Sequence, residues 1–191
     1  MSDMVEVRWH GRGGQGAKTA SYILAIAAAE AGWQAQAFPE YGAERRGAPM
    51  KSYVRMSHGP LRLRSGVKEP SIVVVLDSTL LAGEHVGAGV PADGVIIVNG
   101  LEDPAALKTR LGLPDTVKVG VVDATTIAND CIGRPIPNTP MLGALAKLTD
   151  VVTLPAAEAA VRKMLGTKLA AAVIDGNILA LERAYEEVKV A

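Results

Sequence analysis

The 191-residue sequence predicts an α/β fold: a three-layer Rossmann-like domain with a mostly parallel (mixed) sheet, a β-hairpin and a helical C-terminal third. Three observations predict it. A glycine-rich turn, Gly11-Arg12-Gly13-Gly14-Gln15-Gly16, joins an alternating segment to an alanine-rich run. β-Branched runs at 72–76, 95–98 and 117–122 alternate with short helical patterns, the cadence of parallel strands covered on both faces. Beyond residue 135 the apolar spacing is helical almost to the end.

In chain order, residues 5–10 predict the first strand, with Val5 and Val7 on one face and Glu6 and Arg8 on the other. The run 17–31 predicts a helix whose stripe is Ala20, Ile23, Leu24, Ala27 and Ala31, stopped by Gly32. Residues 33–38 predict a second strand, closed by Pro39. The stretch 41–49 holds two glycines, a proline and three adjacent charges, so it predicts an exposed loop. Residues 50–56 and 61–64, separated by His58-Gly59-Pro60, predict the β-hairpin. The run 72–76 predicts a buried central strand, with Asp77-Ser78 capping the helix that holds Leu80 and Leu81. Further strands follow at 95–98 and 117–122, a short helix at 104–111, and a helix at 124–130 capped by Asp123. In the last third, Asn138 or Thr139 caps a helix containing Met141, Leu142 and Leu145, and Thr153 introduces another. The final helix spans 168–188, with Gly176 marking a kink or break.

Composition bounds the function. With 49% hydrophobic residues the chain can bury one sizeable core, which predicts a single domain over 1–191. Lys+Arg and Asp+Glu balance at 20 each, so nothing global suggests nucleic acid. The single cysteine, Cys131, excludes an internal disulfide and the thiolates of an iron-sulfur cluster or cysteine-rich zinc site. His10, His58 and His85 are scattered without ligand spacing, and His10 reads as a packing or hydrogen-bonding residue. No leader pattern opens the chain and no run of about 20 apolar residues could span a bilayer, so the expected compartment is the cytoplasm. No catalytic triad, metal cluster or Gly-Asp-Gly thiamine signature stands out. The chain alone is expected to be inactive.

Two features carry binding chemistry. A strand that ends in glycines and opens into a helix offers backbone N–H groups at a positive helix terminus, an arrangement suited to phosphate or carboxylate. Gly13, Gly14, Gln15 and Gly16 are the candidate donors, with Lys18 a possible second hand. The letters also satisfy G-x-G-x-x-G, with Glu40 where a ribose-binding acid would stand. The second feature is a basic excess between Glu44 and Glu69, carried by Arg45, Arg46, Lys51, Arg55, Arg62, Arg64 and Lys68. Arginine suits forked contacts to phosphate or to partner carboxylates. If the strands before the two loops lie side by side in parallel, both loops emerge at the carboxyl edge of the sheet.

The glycine loop, the later Tyr41-Gly42-x-Glu44-Arg45-Arg46-Gly47, Arg55 in a strand and Asn138-Thr139-Pro140-Met141-Leu142-Gly143-Ala144 stand in an order that resembles the gamma subunit of 2-oxoacid:ferredoxin (acceptor) oxidoreductases, pyruvate synthase included. The resemblance covers nearly the whole chain. It implies an accessory subunit that helps assembly and borders the access path of coenzyme A. The enzyme would oxidatively decarboxylate a 2-oxoacid to acyl-CoA and CO2. Thiamine diphosphate and magnesium would then sit in alpha and beta partner subunits and iron-sulfur clusters in a ferredoxin-like one. Coenzyme A phosphates are the only ligand this chain would touch, on Gly13, Gly14, Gln15, Gly16 and Lys18. Tyr41, Glu44, Arg45, Arg46, Arg55, Asn138 and Met141 would serve that anion or a subunit interface. Two other readings stay open: a stand-alone Rossmann-type nucleotide-binding oxidoreductase, and a purely structural subunit whose loop binds nothing. The sequence does not name the 2-oxoacid.

Overall fold

The computed structural model describes residues 4–40, 47–63 and 65–191. A seven-stranded mixed sheet runs through the molecule in the order β2-β3-β1-β4-β5-β6-β7. Its strands are β1 (Met4–Arg12), β2 (Gln34–Glu40), β3 (Pro49–Ser57), β4 (Ile72–Val75), β5 (Val95–Asn99), β6 (Lys118–Val122) and β7 (Lys189–Val190). β1, β4, β5 and β6 pair in parallel, whereas β3 is antiparallel to both β1 and β2, and β7 is antiparallel to β6. The helices are α1 (Ala17–Glu30), α2 (Pro104–Arg110), α3 (Ala124–Ile132), α4 (Asn138–Leu148), α5 (Leu154–Leu165) and α6 (Ala171–Glu187). A 3-10 turn spans Ser78–Leu81.

Three layers result. Alternation in β1 sends Val7 and Trp9 to one face of the sheet, where they meet Ile23, Leu24 and Ala27 of α1 and the apolar faces of α3 to α6. The small side chains of α1 let it lie close on the strands. On the other face, α2 and the residues around Val86 cover Val73, Val75, Ile96, Val98, Val119 and Val121. Helix caps follow the sequence: Asp77 accepts from Thr79 N, Asp103 from Ala105 N and Ala106 N, Asp123 from Thr126 N, and Thr153 from Ala156 N.

Five expectations need correction. The hairpin of 50–56 with 61–64 does not form, because β1 and β2 occupy both edges of β3. The described part of the second segment instead crosses the sheet face, where Leu63 O and Ser65 O accept from Arg55. β1 and β2 point the same way but are not neighbours, since β3 lies between them. Pro39 does not close β2, which runs on to Glu40; an edge strand tolerates a residue without N–H. Gly176 neither kinks nor breaks α6, which is continuous from Ala171 to Glu187. It is a contact glycine, since a Cβ there would lie 2.5 Å from Cys131 O of α3. Neither Asn138 nor Thr139 caps α4; Pro137 stands at the cap, and both polar residues are already helical.

Candidate functional site

After β1 the chain builds β2 and β3 on one side, then crosses to β4 on the other. The crevice beyond the carboxyl ends of β1 and β4 is therefore the topological switch point, where open α/β sheets receive ligands. The glycine loop and Asp77 face each other there. Arg12 Nε donates to Asp77 Oδ2 at 3.1 Å and Gln15 Nε2 donates to the same oxygen at 2.8 Å. Asp77 Oδ1 accepts from Thr79 N at 3.0 Å, and Arg12 Nη2 reaches Thr79 Oγ1 at 2.8 Å. Gln15 Oε1 closes the ring by accepting from Arg12 N at 2.7 Å. Burial pushes the Asp77 carboxyl up, but the hydrogen bonds from Thr79 and Gln15 and the Arg12 charge outweigh it and hold it below its ordinary value.

The loop is also tied to the chain beyond the arginine-rich segment. Gly13 N donates to Ala48 O, Gly47 N donates to Gly13 O, and Arg12 Nη1 donates to Gly47 O. Gln15 N turns back to Arg12 O. Two of the four expected donors, Gly13 and Gln15, are thus already engaged, one by Ala48 O and one within the loop. The N–H groups of Gly14 and Gly16 have no partner among the described residues. Gly14 has φ +101° and Gly16 +83°, so both need glycine. At Gly16 space demands it too, because a Cβ would lie 2.7 Å from Asn138 Nδ2. Asn138, at the start of α4, is thereby brought against the loop. Lys18 stands in the first turn of α1, its ammonium 5.9 Å from the Tyr22 ring centroid.

Other expected site residues lie elsewhere. Tyr41, Glu44, Arg45 and Arg46 fall outside the described residues. Met141 is fully buried in the main core and reaches no surface. Arg55 pairs with Glu6 in the ladder whose other end holds Gly11 opposite Met50, so five residues, about 17 Å, separate it from the loop. Its guanidinium is consumed by Glu6 and two carbonyls. Glu40 sits on β2, two strands from β1, and accepts a hydrogen bond from Tyr53 Oη. Asp77, Thr79 and Gly47 are site residues that sequence reasoning missed. The strand-end position of Asp77 was the available signal, but capping accounts for only one of its oxygens.

The outer face of β1 and β3 holds a second polar group. Arg8, only 7% exposed, donates from Nε to His10 Nε2 at 3.0 Å and from Nη2 to Val86 O and Ala88 O. Burial, then the charges of Arg8 and Lys51, lower His10 to about 3, so the ring is neutral with its proton assigned to Nδ1. A cleft of about 100 Å³ opens here between His10, Glu40, Leu80 and the Lys51–Glu84 ion pair. Among the described residues, no group of three or more His, Cys, Asp or Glu is arranged to hold a metal ion. With Cys131 as its one thiol, the chain does not fit an iron-sulfur cluster. No helix among the described residues is long and apolar enough to cross a membrane.

The fold and the switch-point loop define an open α/β domain with a ligand crevice beyond the carboxyl ends of β1 and β4. Residues 6–187 match the model of the pyruvate ferredoxin/flavodoxin oxidoreductase family, and the chain belongs to that family. It is 52% identical over 184 residues to pyruvate synthase subunit PorC of Thermotoga maritima, covering 96% of this chain and 94% of that one. It is 43% identical over 187 residues to the pyruvate/ketoisovalerate oxidoreductases common subunit gamma of Pyrococcus furiosus, covering 98% of each. The crystal structure of the Thermotoga maritima pyruvate oxidoreductase subunit superposes with a TM-score of 0.86 at 47% identity, over 100% of this chain and 99% of that one. The chain is a gamma subunit of a pyruvate/2-oxoacid:ferredoxin oxidoreductase, one part of a multi-subunit enzyme.

Proposed function

We propose that this gamma subunit, one domain over 1–191, completes a cytoplasmic assembly with thiamine-binding alpha and beta subunits and a ferredoxin-like iron-sulfur subunit, and borders the access path of coenzyme A. Thiamine diphosphate with magnesium, held by the partners, supplies the decarboxylation chemistry, and the clusters carry two electrons to the acceptor. The overall change is 2-oxoacid plus coenzyme A to acyl-CoA and CO2. The gamma chain by itself is inactive.

The observation that carries this reading is the glycine loop at the switch point. Its geometry is locked internally, yet Gly14 and Gly16 keep N–H groups for an anion at the start of α1. A coenzyme A phosphate is the anion this reading assigns to them. Arg45 and Arg46 lie in sequence between Glu40, which ends β2, and Gly47, which is bonded to the loop, so they are the candidates to extend the site or to pair with a partner subunit. Arg55 and Met141 leave the proposed set because both are buried, and Arg12 is already neutralised by Asp77. A stand-alone dinucleotide enzyme is disfavoured by topology: β3 separates the loop from β2, and Glu40 is engaged by Tyr53.

Gentle purification of the tagged chain from its native host, with mass spectrometry and a visible spectrum, tests the assembly. Co-eluting thiamine-binding and ferredoxin-like subunits with brown colour support it; a colourless chain that elutes alone and binds a nicotinamide nucleotide overturns it. Within the complex, an Arg45→Ala, Arg46→Ala variant with an unchanged coenzyme A KM would remove the anion role from those two arginines.

A further inference from the structure

Asp77 uses its two oxygens for different tasks. Oδ1 caps the 3-10 turn through Thr79 N and needs nothing more to do so. Oδ2 receives two donors from the glycine loop, Arg12 Nε and Gln15 Nε2, which arrive from 65 and 62 residues away in the sequence. Through Arg12 the same carboxylate reaches Gly47 O, the point where the arginine-rich segment rejoins the described chain. A six-residue loop with four glycines has many conformations in isolation, and fixing each residue costs about 1–2 kcal/mol. If that ordering is complete before a ligand arrives, binding does not bear its cost.

We propose that Asp77 is a positioning residue for coenzyme A: acting through Arg12 and Gln15, it holds the glycine loop in the arrangement that leaves the Gly14 and Gly16 N–H groups for a phosphate. The inference rests on the reading of that loop as the coenzyme A site. It assigns Asp77 a role opposite to its charge. A carboxylate beside an anion site repels the anion, so by electrostatics alone its removal strengthens binding. Positioning gives the opposite sign: Asp77→Asn leaves one acceptor oxygen where two served, so it cannot hold both Thr79 N and the Arg12 and Gln15 donors, loses the charge that pairs with Arg12, and weakens binding.

The experiment is steady-state kinetics of the assembled oxidoreductase, with coenzyme A and the 2-oxoacid varied separately. Asp77→Asn is expected to raise the coenzyme A KM at least tenfold while the 2-oxoacid KM stays within twofold. An unchanged or lowered coenzyme A KM overturns the proposal, as does an equal rise in both constants, which marks general damage to the assembly. The double variant Arg12→Met, Asp77→Asn is expected to be no worse than Asp77→Asn alone within twofold; multiplying effects would exclude action through Arg12. Gly14→Ala separates this inference from the reading beneath it. A Cβ at Gly14 meets nothing within 4 Å, so the substitution strains only the loop backbone. If Gly14→Ala raises the coenzyme A KM and Asp77→Asn does not, positioning by Asp77 fails alone; if neither raises it, the loop is not the site and both fail. Should Asp77→Asn not assemble, Gln15→Met removes one of the two donors to Oδ2. It is then expected to raise the coenzyme A KM about threefold, and no rise overturns the proposal.

Discussion

Arg55 Nε donates to Glu6 Oε1 at 2.6 Å across the β1–β3 ladder, and the Arg55 side chain is only 1% exposed. Its remaining donors go to Leu63 O and Ser65 O, so one guanidinium joins two strands to the segment that crosses them. Removing one partner of a buried pair leaves the other charge desolvated and unmatched, at a cost of about 3–5 kcal/mol. Arg55→Met is expected to destabilise the subunit by that amount. Urea unfolding at constant m-value measures it, and Glu6→Gln in the Arg55→Met background should add little. A loss below about 1 kcal/mol would mean the pair contributes no more than a surface ion pair. Because Arg55 stands far from the glycine loop, the variant should leave the coenzyme A KM of the assembled enzyme unchanged.

A second prediction sets helix propensity against packing at Gly143. Alanine exceeds glycine in a helix interior by about 1 kcal/mol, so propensity alone predicts that Gly143→Ala stabilises α4. The contact predicts the reverse. A Cβ on Gly143 would lie 2.0 Å from the Leu181 carbonyl oxygen, and a backbone atom of α6 cannot step aside as a side-chain tip can. Packing wins, with an expected net loss of about 1–3 kcal/mol as α4 and α6 are forced apart. Thermal unfolding decides the sign, and a raised midpoint would show that the helices separate at little cost.

The parts of the fold that local chemistry dictates were legible. β1, α1, the β-branched strands β4, β5 and β6 and the aspartate caps each follow from residues within one element or its flank. Strand pairing was not legible, because it is decided by partners far away. The run 50–56, which holds Lys51, Tyr53 and Arg55, reads as one strand of a hairpin with 61–64. In the fold these residues lie over a sheet face where Glu6, Glu40 and Glu84 from three other segments meet them. The candidate site shows the same division. The glycine loop was visible as a motif, whereas the aspartate that locks it lies over sixty residues away with only a capping pattern around it. Gly176 was misread for a related reason: its neighbour, the Cys131 carbonyl, belongs to α3.

The neutral His10 ring yields a pH prediction. Its ordinary value of 6.5 is lowered to about 3 in the fold, by burial first and then by the charges of Arg8 and Lys51, against a smaller opposing pull from Glu84. Between those values the unfolded chain binds a proton that the folded chain refuses. Stability is therefore full above the unfolded value and falls as pH drops through this window, by up to about 1.4 kcal/mol per unit. From pH 7 to pH 5 the expected loss attributable to His10 is about 1–2 kcal/mol. Asp77 acts below its ordinary 3.8, outside the interval from pH 7 to pH 5. His10→Gln keeps an acceptor for Arg8 Nε and has nothing to protonate, so its urea midpoint should change less between pH 7 and pH 5 than that of the parent. Parallel pH profiles for the two would show that the buried ring is protonated in the fold without penalty.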